Sequence, residues 1–184
     1  MNSDRARDKP KKLFEPSNRE ELLRGWLLHA HKGRDRHDLA ARRNDTYRYW
    51  LGVPAIILST IVGTTVFASL ETQVDTSLKI ALGLISITSA VLASLQTFYN
   101  FASLAESHRE AGVKYKAMIW ELEQVLTQPL EQLPENADYF NDLRKRLSDL
   151  ELEAPVVPQG IYDSVEDGYA SVVFAETAAS LAGK

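Results

Sequence analysis

Residues 50–70 read WLGVPAIILSTIVGTTVFASL and residues 80–101 read IALGLISITSAVLASLQTFYNF. Neither run holds an Asp, Glu, Lys or Arg, and the uncharged stretches extend from Tyr49 to Leu70 and from Ile80 to Ala105. A helix rises about 1.5 Å per residue, so roughly 20 apolar residues cross a hydrocarbon core about 30 Å thick. Each run meets that length unaided. The core helix of a soluble protein rarely stays uncharged for so long, and two in succession are rarer still. Residues 71–79 between them form a short connection that makes the two helices antiparallel neighbours. The expected fold is therefore an all-α integral membrane protein built on a two-helix hairpin, with spans over 50–70 and 80–101 inside a segment 49–105. Averages conceal this: a net charge of −4 and 45% apolar residues would describe an ordinary soluble chain.

Orientation follows from the basic residues. Of 21 Lys and Arg, 13 precede residue 49, one (Lys79) lies in the linker and seven follow Glu106. The positive-inside rule puts the linker outside and both termini in the cytoplasm. Arg48, Tyr49 and Trp50 at the start of the first span, and Phe98 and Tyr99 at the end of the second, come to one depth and anchor the hairpin at the cytoplasmic interface. Tyr47 and Phe101 extend that belt. Pro54 falls in the first turns of its span, where it is tolerated. The first apolar run begins too far along the chain for a cleavable signal peptide.

Ser86, Ser89, Ala93, Gln96, Asn100 and Ser103 recur at intervals of three and four, which aligns them on one stripe of a helix. A second stripe of small residues overlaps it: Gly83, Ser86, Ala90, Ala93 and Thr97. The first span offers Ser59 and Gly63, with Thr60 and Thr64 beside them. Small residues let membrane helices approach closely, and hydroxyls and amides bond across the contact. Two readings stay open: a packing surface within or between hairpins, the commoner use of such stripes, or a pore lining in which Gln96 and Asn100 face water. Both imply a homo-oligomer in the lipid bilayer. Neither span carries an ionisable residue, which argues against a pump, a coupled transporter or a voltage sensor.

Outside the hairpin, residues 1–16 read as a mobile, charged tail. Ser17 to Glu20 fits a capping box opening a helical segment 17–48, with Leu22, Leu23, Trp26, Leu27 and Ala30 on its apolar face. Gly33 and the charged run from Lys32 to Asp38 are expected to break that segment, a second helix starting near Asp38. After the second span nothing stops the helix before Pro129. Ala111, Tyr115, Met118, Leu122 and Val125 form its seam, expected to pack against the N-terminal helix. Phe140, Leu143, Leu147 and Leu150 mark a further helix in the segment 106–184, closed by Pro155, and residues 162–181 suggest a last one. The segment before residue 49 holds 13 basic against 8 acidic residues, and that from Glu106 onward 7 against 15, so the two attract. The acidic segment is a poor partner for nucleic acid.

The chain has no cysteine, which excludes disulfides, thiolate metal sites and a cysteine nucleophile. His29 and His31 diverge on a helix and make a poor metal pair, and His37 and His108 look isolated. Phosphate-binding loops, dinucleotide fingerprints and nucleophile elbows are missing. No cofactor, metal or catalytic residue is expected, and the chain does not read as an enzyme.

The runs TYRYWLGVPAIILSTIVGTTVFASL, SAVLASLQTFYNFASLAESHREAGVKYKAMIWELEQVL and LSDLELEAPVVP resemble the SLATT group, two-transmembrane effector domains associated with SMODS nucleotidyltransferases and SLOG domains in bacterial conflict systems. The resemblance covers roughly Asp38 to Pro158 and is most specific over Gly52–Gly63, Leu92–Phe98 and His108–Tyr115. It implies an inner-membrane effector of anti-phage defence, proposed to form pores when a nucleotide second messenger or an associated sensor triggers it. With no fused nucleotidyltransferase or SLOG domain here, the implied partner is a separate nucleotide-second-messenger synthase or sensor. The alternative is a non-conducting anchor or scaffold whose cytoplasmic helices recruit a partner protein.

Overall fold

The computed structural model describes residues 16–68, 75–128 and 137–169, and these are helical with short connections and no strand. The helix α1 spans Arg19–Ala68, α2 spans Thr76–Tyr99, α3 spans Phe101–Leu126 and α4 spans Ala137–Glu153. Residues 159–169 form a further helix, α5. The expected tail before residue 16, the centre of the linker and everything past 169 lie outside the described residues. Both apolar runs lie in helices long and apolar enough to cross a membrane.

The helix α1 begins one residue later than the expected capping box. Asn18, not Ser17, caps it: the Glu21 amide donates to Asn18 Oδ1 at 2.8 Å, the Leu22 amide donates to the Asn18 carbonyl, and Glu21 Oε2 accepts from the Ser17 amide. From there the helix runs uninterrupted for 50 residues, a length of about 75 Å. The break expected at Gly33 is absent. A single glycine costs a helix only about 1 kcal/mol, and this one faces a neighbour that needs the room: a Cβ on Gly33 would lie 2.5 Å from Tyr115 Cε1.

The break falls instead at Asn100, where the expected uninterrupted helix gives way. Its φ of 44° and ψ of 49° place it in the left-handed region, which among non-glycine residues asparagine tolerates best. It ends α2 and opens α3 without intervening loop. Lys79, expected in the linker, lies in the first turn of α2.

The polar half of the molecule is a small bundle. The faces of α1 and α3 expected to meet do so: Leu23, Ala30, Tyr115, Met118, Ile119 and Leu122 pack with Leu143, Leu147 and Leu150 of α4 as one buried cluster. Trp26 and Phe140 close its far end with ring centroids 6.3 Å apart. Pro155 lies just past α4, and the Pro158 carbonyl accepts the first amides of α5. The expected charge attraction is present as ion pairs between the segments before and after the hairpin. Glu166 of α5 accepts from Lys32 (2.8 Å) and from Arg36, and Glu151 of α4 pairs with His29.

Candidate functional site

Within the hairpin, the stripe read as one surface divides in two. The residues of α2 turned toward α1 are Leu82, Ile85, Ser89, Leu92 and Gln96. Ser89 is buried, and its hydroxyl donates to the Ala55 carbonyl at 3.0 Å. That commits its one proton, so the Ser59 hydroxyl, 2.6 Å away, donates to Ser89 Oγ. Seven residues along, the Gln96 amide lies over Gly52. A Cβ at that glycine would stand 2.9 Å from Gln96 Nε2. Gly52 is thus the small residue that seats the amide. Ser86, Ala93 and Asn100 sit one position round the helix and are exposed, as is Ser103 beyond the break. Gly63 is no close-approach site within the molecule: nothing lies within 4 Å of where its Cβ would be, and the same holds for Gly83.

The remaining hydroxyls are largely self-contained. Thr60, Thr64, Thr88, Ser94 and Thr97 each donate to the carbonyl four residues earlier, at 2.8 to 3.0 Å. This spares an apolar surface from unsatisfied donors. The rest of that surface is large side chains: Ile56, Phe67, Ile80, Leu84 and Ile87 are each more than 60% exposed.

Four of the aromatic residues read as a belt touch one another where the hairpin meets the bundle. Tyr47 packs on Phe101 at 5.5 Å, Phe101 stacks on Tyr99 at 5.3 Å, and Phe98 meets Tyr99 edge-on at 5.2 Å. Trp50 and Phe98 project outward. The Arg48 guanidinium stands 5.7 Å from the Tyr49 ring. Arg48, Gln96, Asn100 and Phe101 also line an open crevice of about 390 Å³ beside the α2–α3 break.

Below the belt, small residues bring α1 and α3 close: Ala30, Gly33, Ala40 and Ala41 on one side, Ala105, Ala111 and Gly112 on the other, all buried. His37 and His108, read from sequence as isolated, meet in this seam. They are 4% and 2% exposed, and their Nδ1 atoms are 2.9 Å apart. The Tyr115 ring stacks on His37 with centroids 5.6 Å apart. Burial, with the neighbouring His108 and Arg36, lowers the His37 pKa to about 4, and burial lowers that of His108. Beside them, Arg36 lies 3.7 Å from the centroid of the Tyr162 ring while pairing with Glu166, and the Tyr169 hydroxyl donates to Asp35 at 2.6 Å.

Register is the signal that could have found the histidine pair. Ser59 and Ser89, Gly52 and Gln96, Tyr47 and Phe101, and Gly33 and Tyr115 each lie symmetrically about position 74. In the same register His37 falls opposite Ala111, about one helical turn from His108. Placing the turn near position 74 would therefore have brought the two histidines to neighbouring turns of the facing helices.

Comparison with protein-family models, curated proteins and solved structures yields no match.

Proposed function

We propose that the chain inserts as a hairpin into a bacterial inner membrane, both termini cytoplasmic, and acts as a conflict-system effector that assembles through α2 and compromises the bilayer when triggered. One observation carries this reading: Ser86, Ala93 and Asn100 point away from their own hairpin, leaving a small-polar stripe amid exposed large apolar side chains, a surface suited to lipid or to another copy. The lopsided distribution of Lys and Arg supports the orientation, and the resemblance to SLATT domains supports the effector role. A separate nucleotide synthase or sensor would act on the cytoplasmic bundle.

A second reading, a non-conducting scaffold, is favoured by Ser89 and Gln96. The Ser89 hydroxyl is bonded to α1 and the Gln96 amide is seated over Gly52 of α1, which leaves less polarity for a water-filled lining. Dye release from liposomes holding the purified protein, with and without candidate nucleotides, separates the two. So does thiol labelling of single cysteines in the cysteine-free chain. The effector reading expects labelling at Ser86, Ala93 and Asn100 after activation, with Ser89 and Gln96 protected throughout. Protection of all five sites in activated protein, with no dye release, leaves the scaffold.

A further inference from the structure

We infer that the His37–His108 pair is a proton-operated latch: neutral, it ties α1 to α3 beneath the hairpin, and charging both rings drives the two helices apart. The contact itself sets the rule. Two Nδ1 atoms at 2.9 Å share one proton, one ring donating and the other accepting through its lone pair. A second proton removes the acceptor and aims two N–H groups and two positive charges at each other in a buried site. Such a contact does not persist, and the strain is relieved only when the rings separate.

The surroundings supply no counter-charge. On α1, the adjacent Arg36 is itself cationic, and it draws Glu166 of α5 to itself together with Lys32. Asp35 is taken by Arg34 and the Tyr169 hydroxyl, and Asp38 stands over Gly112. On α3, Tyr115 faces His37 as a neutral phenol, its pKa pushed up to about 12 by burial. On α4, Glu151 pairs with His29. Among the described residues no carboxylate bonds either imidazole. The lowered pKa values agree: both rings are neutral near pH 7 and charge only on acidification.

The seam has little slack to absorb the repulsion on one side of the pair, because Gly33 sits directly against the Tyr115 ring that stacks on His37. Since α1 runs unbroken from His37 into the hairpin, opening here is transmitted to the first apolar helix. The latch stands independently of the pore and scaffold readings.

The test uses the full chain in detergent micelles, with two readouts. Ring NMR titration should show His37 and His108 still neutral at pH 6. Amide hydrogen exchange, normalised to intrinsic rates, should show protection over residues 30–41 and 105–118 falling at least tenfold between pH 7 and pH 4. The double variant His37→Gln, His108→Gln should lose that pH dependence, since amides bond without titrating. Titration of both rings near 6.5 in the native chain overturns the latch, whatever the variant does. So does undiminished protection at pH 4, or a folded double variant that opens as the native protein does.

Discussion

Replacing Gly33 with alanine sets two opposed effects against each other. Alanine in a helix interior is favoured over glycine by about 1 kcal/mol. At Gly33, however, the new Cβ would stand 2.5, 2.6 and 2.8 Å from three atoms of the Tyr115 ring. That ring is 3% exposed and held against His37, so it has nowhere to go. Overpacking of this kind costs about 1–3 kcal/mol, which leaves Gly33→Ala destabilising by about 1 kcal/mol. Gly112 is the control. Its Cβ would meet Asp38 Oδ1 at 2.9 Å, and the next atom is 3.9 Å away. A carboxylate at the end of a rotatable side chain moves aside, so Gly112→Ala should be neutral or stabilising by up to about 1 kcal/mol. Urea unfolding of both variants in detergent, followed by tryptophan fluorescence, reads the difference. Trimming the ring with Tyr115→Val should abolish the penalty at position 33. A Gly33→Ala protein as stable as Gly112→Ala would refute the close-packed seam.

Ser89→Ala should loosen the hairpin by about 0.6–2 kcal/mol, and Ser59→Ala should add little on top of it, because both act through one chain of hydrogen bonds; additive losses in a double-mutant cycle would contradict the geometry. Asn100→Gly should leave the α2–α3 break intact, whereas Asn100→Leu forces a side chain that resists the left-handed region and should lose about 1–2 kcal/mol in thermal unfolding. Because His37 titrates at about 4 in the fold against an ordinary 6.5, the unfolded chain takes up its proton first as pH falls. The resulting stability is complete above pH 6.5 and lost on descending to about 4, on the order of 3 kcal/mol, as denaturation at stepped pH should show. Reporters fused after residues 48 and 128 should read cytoplasmic and one at Val74 periplasmic; a cytoplasmic signal at Val74 would overturn the proposed topology.

The elements that hydropathy alone determines were legible in the sequence. Two apolar runs of sufficient length have one helical outcome each, and the seam from Ala111 to Leu122 announces its buried face by its period. What stayed hidden depends on pairing rather than periodicity. Gly33 resembles a helix breaker until Tyr115 is known to lie across it. Asn100 looks like one more member of a polar stripe, yet its backbone ends the helix. The stripe itself overran the truth by one position: a row at three-and-four spacing spans enough of the helix circumference to straddle two faces. Ser89 and Gln96 fell on the inner face, Ser86, Ala93 and Asn100 on the outer. The histidines were passed over because 71 residues of sequence separate them, and only the antiparallel register closes that gap.

That register also gives the break at Asn100 its meaning. Pairs on its two sides, Gly52 with Gln96 and Gly33 with Tyr115, keep the same symmetry about position 74, so the break redirects the chain without inserting or deleting a step along the partner helix. A bulge or an inserted turn would have shifted every contact below it by at least one residue and rotated the seam's small residues off their partners. The result is an asymmetric pair: α1 is one unbroken rod of about 75 Å, while the strand of helix beside it is divided at one left-handed residue. A displacement of α3 relative to α1 in the bundle therefore reaches the apolar half by two different routes. Along α1 it arrives as rotation or translation of a rigid rod. Along α3 it would meet Asn100, where a change in two backbone angles would re-aim α2 and leave both helices intact. The crevice lined by Arg48, Gln96 and Asn100 lies at that division, beside the one polar side chain of α2 that is seated over Gly52. Opening or closing of the seam would then alter the packing of Gln96 first, before any residue deeper in the hairpin.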